Sequence, residues 1–179
     1  MLHQAPQPGP ERMTPFGGGA LVVGVRPGSN PLVVLTAAAL ARTTGGEPFF
    51  AYVDEQRYIE REFPDGTVQH ADINPDAADD SWHLVEARLK AELAGLLADS
   101  DLSWQFRYLA GRPDRALTHL ARAVDAAVIV VGNRAPERGA KVREFLDGAL
   151  ALKLAQHQHR PVLAVPLSVV NWKAPTPWA

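Results

Sequence analysis

Five short apolar runs, separated by stretches in which apolar residues recur at helical spacing, organise the chain between residues 20 and 166. Ala20 to Val25 (ALVVGV) is a continuous apolar run, as expected of a strand buried on both faces. It leads through RPGSNP into a helix for which Asn30 is the expected cap and Pro31 the expected first residue, where a missing N–H costs nothing. Gly45-Gly46 stop that helix near Thr43, and Pro48 to Val53 (PFFAYV) follows as a second strand. Trp82 to Leu97 places Val85, Leu89, Leu93, Leu96 and Leu97 on one helical face. Ser103 to Ala110 alternates as a strand, with Trp104, Phe106 and Tyr108 on one side. Asp114 is the expected cap of a helix carrying Leu117, Leu120, Ala121 and Val124. AAVIVVG (126–132) reads as a fully apolar strand, GALALKLAQHQ (148–158) as a helix and PVLAVP (161–166) as the last strand.

Strict alternation of strands with helices long enough for crossovers predicts an α/β domain: a five-stranded parallel, doubly wound sheet with helices on both faces. Ligands in such sheets lie beyond the carboxyl ends of the strands, where the strand order reverses. The positions to inspect are therefore 25–30, 53–54, 110–113 and 132–149. Between Asp54 and Asp80 the chain is acidic and lacks sustained periodicity, apart from a short hairpin suggested by Pro64-Asp65-Gly66. Residues 1–19, with four prolines and a Gly17-Gly18-Gly19 end, have too little apolar surface to offset the entropy of ordering and read as a flexible tail. The domain then spans 20–167, and residues 168–179 form a second tail.

Composition narrows the function classes. With 179 residues and 46% hydrophobic content the chain supports one domain with a sizeable core. A net charge of −2 supplies no field to attract nucleic acid or an anionic membrane surface. The absence of cysteine excludes disulfides, thiolate metal sites and cysteine nucleophiles. No secretory leader or membrane span is read from the sequence, and a cytoplasmic location is expected. Ser29 has no histidine or lysine partner in the sequence to activate it, and Asp54-Glu55 and Asp76 with Asp79-Asp80 offer carboxylates without an identifiable nucleophile. His157 and His159, two residues apart on a helix, point to different faces and suit a helix C-terminus better than a metal.

Three segments carry a family resemblance: LVVGVRPGSNPLVVLTAAALA, YLAGRPDRALTHLARAVDAAVIVVG and GALALKLAQHQHRPVLAV. In order and spacing they resemble the universal stress protein family over residues 20–166. That resemblance implies a homodimer and a stress-response or regulatory role without catalysis. In the ATP-binding branch of the family the loop after the fourth strand reads Gly, two residues, Gly, nine residues, Gly, then Ser or Thr. Glycines there let backbone amides approach phosphate, and the hydroxyl adds a donor at a helix N-terminus.

By that resemblance the nucleotide-cleft positions of this chain are Val25, Arg26, Val53, Gly132, Asn133, Arg134, Gly148, Ala149 and Leu150. Gly132 and Gly148 match the pattern. Ala135 stands at the second glycine, Pro136 offers no N–H, twelve residues separate Ala135 from Gly148, and Ala149 replaces the hydroxyl. Arg26 stands where the family usually has an acid after its first strand. The expectation is no tightly bound cofactor, with ATP or another adenine nucleotide held weakly. In the alternative, Arg26, Arg112, Arg134, Arg138 and Lys141 replace the lost amides, and ATP binds with slow hydrolysis. The expected dimer seam is the last strand, Pro161 to Pro166, because an apolar edge strand invites pairing with its symmetry mate.

Overall fold

A computed structural model describes residues 7–74, 81–133 and 142–168, with backbone alone for 142–149. Strand β1 (Leu21–Gly24) is followed by α1 (Leu32–Thr44), β2 (Pro48–Asp54), the pair β3 (Arg57–Glu62) and β4 (Val68–Asp72), and α2 (Trp82–Leu96). Then come β5 (Gln105–Ala110), α3 (Pro113–Ala123), β6 (Val128–Asn133), α4 (Val142–His157) and β7 (Val162–Pro166). The main sheet has the order β5-β2-β1-β6-β7, and every pairing in it is parallel.

This is the doubly wound sheet that the alternating pattern predicts. Alternate residues of each strand feed opposite faces, which the period of two requires. Leu21, Val23, Phe50, Val128 and Val130 pack with α1 and α2 through Val33, Ala37, Leu89 and Leu93. On the other face Val22, Phe49, Ala51, Ile129 and Val131 pack with α3 and α4 through Leu117, Leu120 and Leu154. Each of these larger side chains adds roughly 1.5–3 kcal/mol when fully removed from water. Of the face expected to be buried, Leu89 and Leu93 of α2 and Leu97 just after it are buried, whereas Leu96 is 39% exposed.

Local signals in the sequence act largely as expected. Asn30 Oδ1 accepts the Leu32 N–H at 2.9 Å, so Asn30 satisfies one of the open donors of α1. Asp114 behaves differently from its predicted role. Pro113, with its φ preset, takes the first position of α3, and Asp114 falls inside the helix, where its carboxylate accepts from Arg112 Nε at 3.2 Å and Nη2 at 2.8 Å. Of the first tail, residues 10–12 make one 3-10 turn, and the chain docks at Gly18, whose N–H donates to Thr44 O at 2.7 Å.

The acidic stretch after β2 contains the hairpin that Pro64-Asp65-Gly66 suggests. Strands β3 and β4 pair antiparallel, with Arg57 opposite Asp72. The hairpin reaches both faces of the sheet. Gly66 at its tip lies against Leu120 of α3, and Glu62 Oε2 is 3.3 Å from His119 Nδ1 on the same helix. At its base Arg57 lies 5.9 Å from the Trp82 ring of α2, and His70 lies against Trp82 and Tyr108 of β5. A surface excursion thereby becomes the wall of a pocket at the carboxyl end of the sheet.

Candidate functional site

The strand order reverses between the parallel neighbours β1 and β6, so the crevice that a doubly wound sheet reserves for a ligand opens between Gly24 and Gly132. Five of the predicted positions converge there: Val25, Arg26, Val53, Gly132 and Leu150. Val25 is buried in the core beneath the crevice. Asn133 does not line it; it ends β6, and its carbonyl accepts the Leu167 N–H at 2.8 Å. Arg134, Arg138 and Lys141, with Ala135 and Pro136, lie outside the described residues.

Gly148 and Ala149, expected at the end of the phosphate loop, lie elsewhere. Helix α4 begins at Val142, so both positions lie well inside it and not at its N-terminus. A glycine inside a helix costs about 1 kcal/mol relative to alanine, too little to prevent a sixteen-residue helix from running through it. The place where the phosphate loop was expected to end is thus regular helix.

The crevice is also narrow. Leu167, just past β7, lays its side chain over Gly132: a Cβ built on that glycine would stand 2.6 Å from Leu167 Cδ1 and 3.2 Å from Val33 Cγ2. Close approach there is taken up by the protein's own leucine. The cavity between β1 and β6 holds about 80 Å³, well under the roughly 300–1,000 Å³ of pockets that enclose drug-sized ligands. The described residues therefore do not fit an adenine nucleotide with its phosphates against Gly132.

Arg26 lines this cavity and two neighbours. Its loop is fixed from α2, because the Gly28 N–H donates to Glu92 Oε2 at 3.2 Å while Arg88 Nε donates to Glu92 Oε1 at 2.8 Å. Hydrogen bonds from Arg88 first and Gly28 second hold the Glu92 carboxyl below the usual carboxylate range. Toward α3 and α4, a cavity of about 200 Å³ includes Arg26, Glu55, Arg112 and Lys153. Arg112 is committed there to Asp114, with Nη2 to Oδ2 at 2.8 Å.

Toward the hairpin lies a pocket of about 540 Å³, bounded by Arg26, the end of β2, the base of the hairpin and the start of α2. Tyr52, Tyr108 and Trp82 form one aromatic wall, with centroid separations of 5.3 Å and 5.4 Å along it. Tyr108 Oη donates to Asp54 Oδ2 at 2.7 Å, and the Gln56 N–H donates to Asp54 Oδ1 at 2.9 Å. Burial first, then the bond to Asp54, raise the phenol above its ordinary value, so Tyr108 remains a donor. Arg57, only 8% exposed, is neutralised by Asp72 at 2.9 Å and capped by His70 Nδ1 at 2.8 Å.

The sequence supplied Asp54 and Glu55 as carboxylates without partners; it did not supply this pocket. Tyr108 lies far from Asp54 along the chain, and parallel pairing of β2 with β5 is what joins them. Arg57, His70 and Asp72 were readable in principle. A hairpin turning at Asp65-Gly66 places a residue near 57 opposite one near 72, and His70 shares a face with Asp72. Among the described residues no group of acids and histidines is placed to hold a metal, and no helix is long and apolar enough to cross a membrane.

Comparison with known proteins agrees with this geometry. The model of the universal stress protein family matches residues 20–166. No curated protein matches the chain. Among solved structures, a universal stress protein from Archaeoglobus fulgidus superposes with a TM-score of 0.60 at 18% identity, covering 82% of this chain and 98% of that one. Universal stress protein UspA from Lactobacillus plantarum gives 0.59 at 14% identity, covering 83% and 98%. The Archaeoglobus fulgidus protein in complex with dAMP gives 0.56 at 18% identity, covering 82% and 97%. At such identities these structures share the fold.

Proposed function

The chain belongs to the universal stress protein family, and from that premise we propose a cytoplasmic stress-response or regulatory protein, without catalysis, in which nucleotide binding is weakened or altered. The observation that carries this reading is Leu167 lying over Gly132 in a cavity of about 80 Å³. Supporting it, the sequence has Ala135 and Pro136 where the family's loop pattern has an amide-presenting glycine. A structure in this fold holds dAMP, so an adenine nucleotide is the ligand class against which loss of affinity is measured. Calorimetric titration with ATP, AMP and cyclic AMP, with and without magnesium, tests the reading: weak or absent heats support it, and tight binding of any of the three overturns it.

The slow-ATPase alternative needs arginines at the phosphates, and one observation favours it: Arg26 borders the cavity between β1 and β6. Arg112, a second candidate for that role, is paired with Asp114. Homodimerisation through β7 is part of the proposal. β7 ends the main sheet on one side, whereas β5 at the other end has the hairpin packed beside it.

A further inference from the structure

We propose that the groove between β3 and the first turn of α3 takes an extended peptide, which adds a strand to the outer edge of β3 and sets a carboxylate against Arg115. A cavity of about 310 Å³ lies there, between the hairpin and the turn from β5 into α3. None of Val25, Arg26, Val53, Gly132 and Leu150 borders it, so this proposal and the weakened-nucleotide reading can each fail alone. The volume is at the small end of the roughly 300–1,000 Å³ of ligand pockets, which suits one or two side chains of a peptide whose backbone runs on past it.

Neighbouring residues of a strand point to opposite faces, yet Tyr58 and Ile59 both border the cavity, so it opens along the edge of β3 and not over one face. β3 pairs with β4 on its other edge, and among the described residues no strand lies along this one. Such an edge offers open N–H and C=O groups to an incoming chain. Farther along, the register shift between Ile59 and Arg61 and the charges of Glu60, Arg61 and Glu62 blunt it. The regular part, Arg57 to Ile59, remains for pairing.

Charge selects the occupant. Across the groove from β3 stand Arg112 and Arg115, with small residues between them and the strand. Arg112 is bonded to Asp114, and Glu62, the acid of the lining, turns its Oε2 to His119 Nδ1 at 3.3 Å. Arg115 is exposed, and among the described residues its guanidinium has no hydrogen bond or ion pair. The lining therefore carries one uncommitted positive charge, whose planar fork matches the two oxygens of a carboxylate. Ile59 and the ring of Tyr58, 47% exposed, supply apolar contact for β-branched or aromatic residues beside that acid.

The test is selection by the full chain from a library of N-acetylated hexapeptide amides, random at every position, followed by fluorescence anisotropy of the selected sequence. Aspartate or glutamate is expected at one fixed position, with β-branched or aromatic residues beside it. Replacing that acid by its amide should weaken binding roughly tenfold or more. Arg115→Gln, at an exposed position where folding is kept, should do the same. N-methylation of every second peptide nitrogen, in one of its two registers, should abolish binding, because it removes strand-pairing donors and leaves every side chain in place. Bound peptide should also slow hydrogen exchange at the amides of β3. A library that yields nothing bound below millimolar concentration, or a selected sequence without an acid, would overturn the site. So would N-methylation without effect in either register, an Arg115→Gln variant that binds as the parent does, or protection confined to another strand.

Discussion

Arg57 Nε donates to His70 Nδ1 at 2.8 Å, which fixes that imidazole as the neutral Nε2-protonated form at the base of the hairpin. Burial first, and the Arg57 charge second, hold its pKa below the ordinary 6.5, while Asp54, Asp72 and Glu86 oppose the shift. An unfolded chain takes up the proton near 6.5. The folded chain takes it up only at lower pH, so between those values the unfolded state binds more protons. Stability is therefore retained above about pH 6.5 and falls as pH drops through the depressed value. Denaturant unfolding across a pH series should show this slope, and His70→Gln, which keeps an acceptor but does not titrate, should flatten it. Equal slopes in the two proteins would mean that His70 does not govern the acid response.

Gly66 closes the hairpin with φ of +80°, and a Cβ there would stand 2.5 Å from Leu120 Cδ1. Alanine at this position meets both a backbone region that L-residues disfavour and a packed leucine. Gly66→Ala is expected to cost about 1–3 kcal/mol and to lower the Tm by several degrees. An unchanged melting curve would show that the hairpin tip does not rest on α3 in solution.

Much of this structure was legible in the chain because local and tertiary preferences agree. The runs at Leu21, Phe49 and Val128 are apolar on consecutive residues, short and β-branched or aromatic in part, which suits a strand covered on both faces. Asn30 and Gly45 bracket α1 as their side-chain and backbone chemistry dictates. Prediction failed where a residue type has two uses. Gly148 resembles the end of a loop yet lies within a helix whose other residues outweigh it. Asp114 has the chemistry of a cap, but Pro113 claims the first helical position and shifts the start. The hairpin pocket was hidden for another reason. Its members, from Arg26 to Tyr108, meet only through strand order, and no local pattern encodes that.

Ala164 is exposed on β7 and pairs in register with Val131 on its inner side, and among the described residues no strand lies along its outer edge. If β7 is the seam of a homodimer, Ala164→Glu sets two like charges against each other at the two-fold interface with little effect on the core. Sedimentation at micromolar concentration should give a dimer for the parent protein and a monomer for the variant. A parent that sediments as a monomer would remove the proposed assembly.

Closure of the crevice at Gly132 is the centre of this account, and magnesium-ATP affinity reads it most directly. Loss of two or three phosphate donors, at about 1.5–3 kcal/mol for each bond to a charged group, weakens binding by roughly two to six orders of magnitude. Calorimetry of the purified chain with magnesium-ATP should therefore give a Kd in the high micromolar range or poorer, and the protein should purify without nucleotide. A submicromolar Kd, or ATP carried through purification, would contradict the account by showing that Leu167 moves aside and that the arginines of the loop and of Arg26 cradle the phosphates.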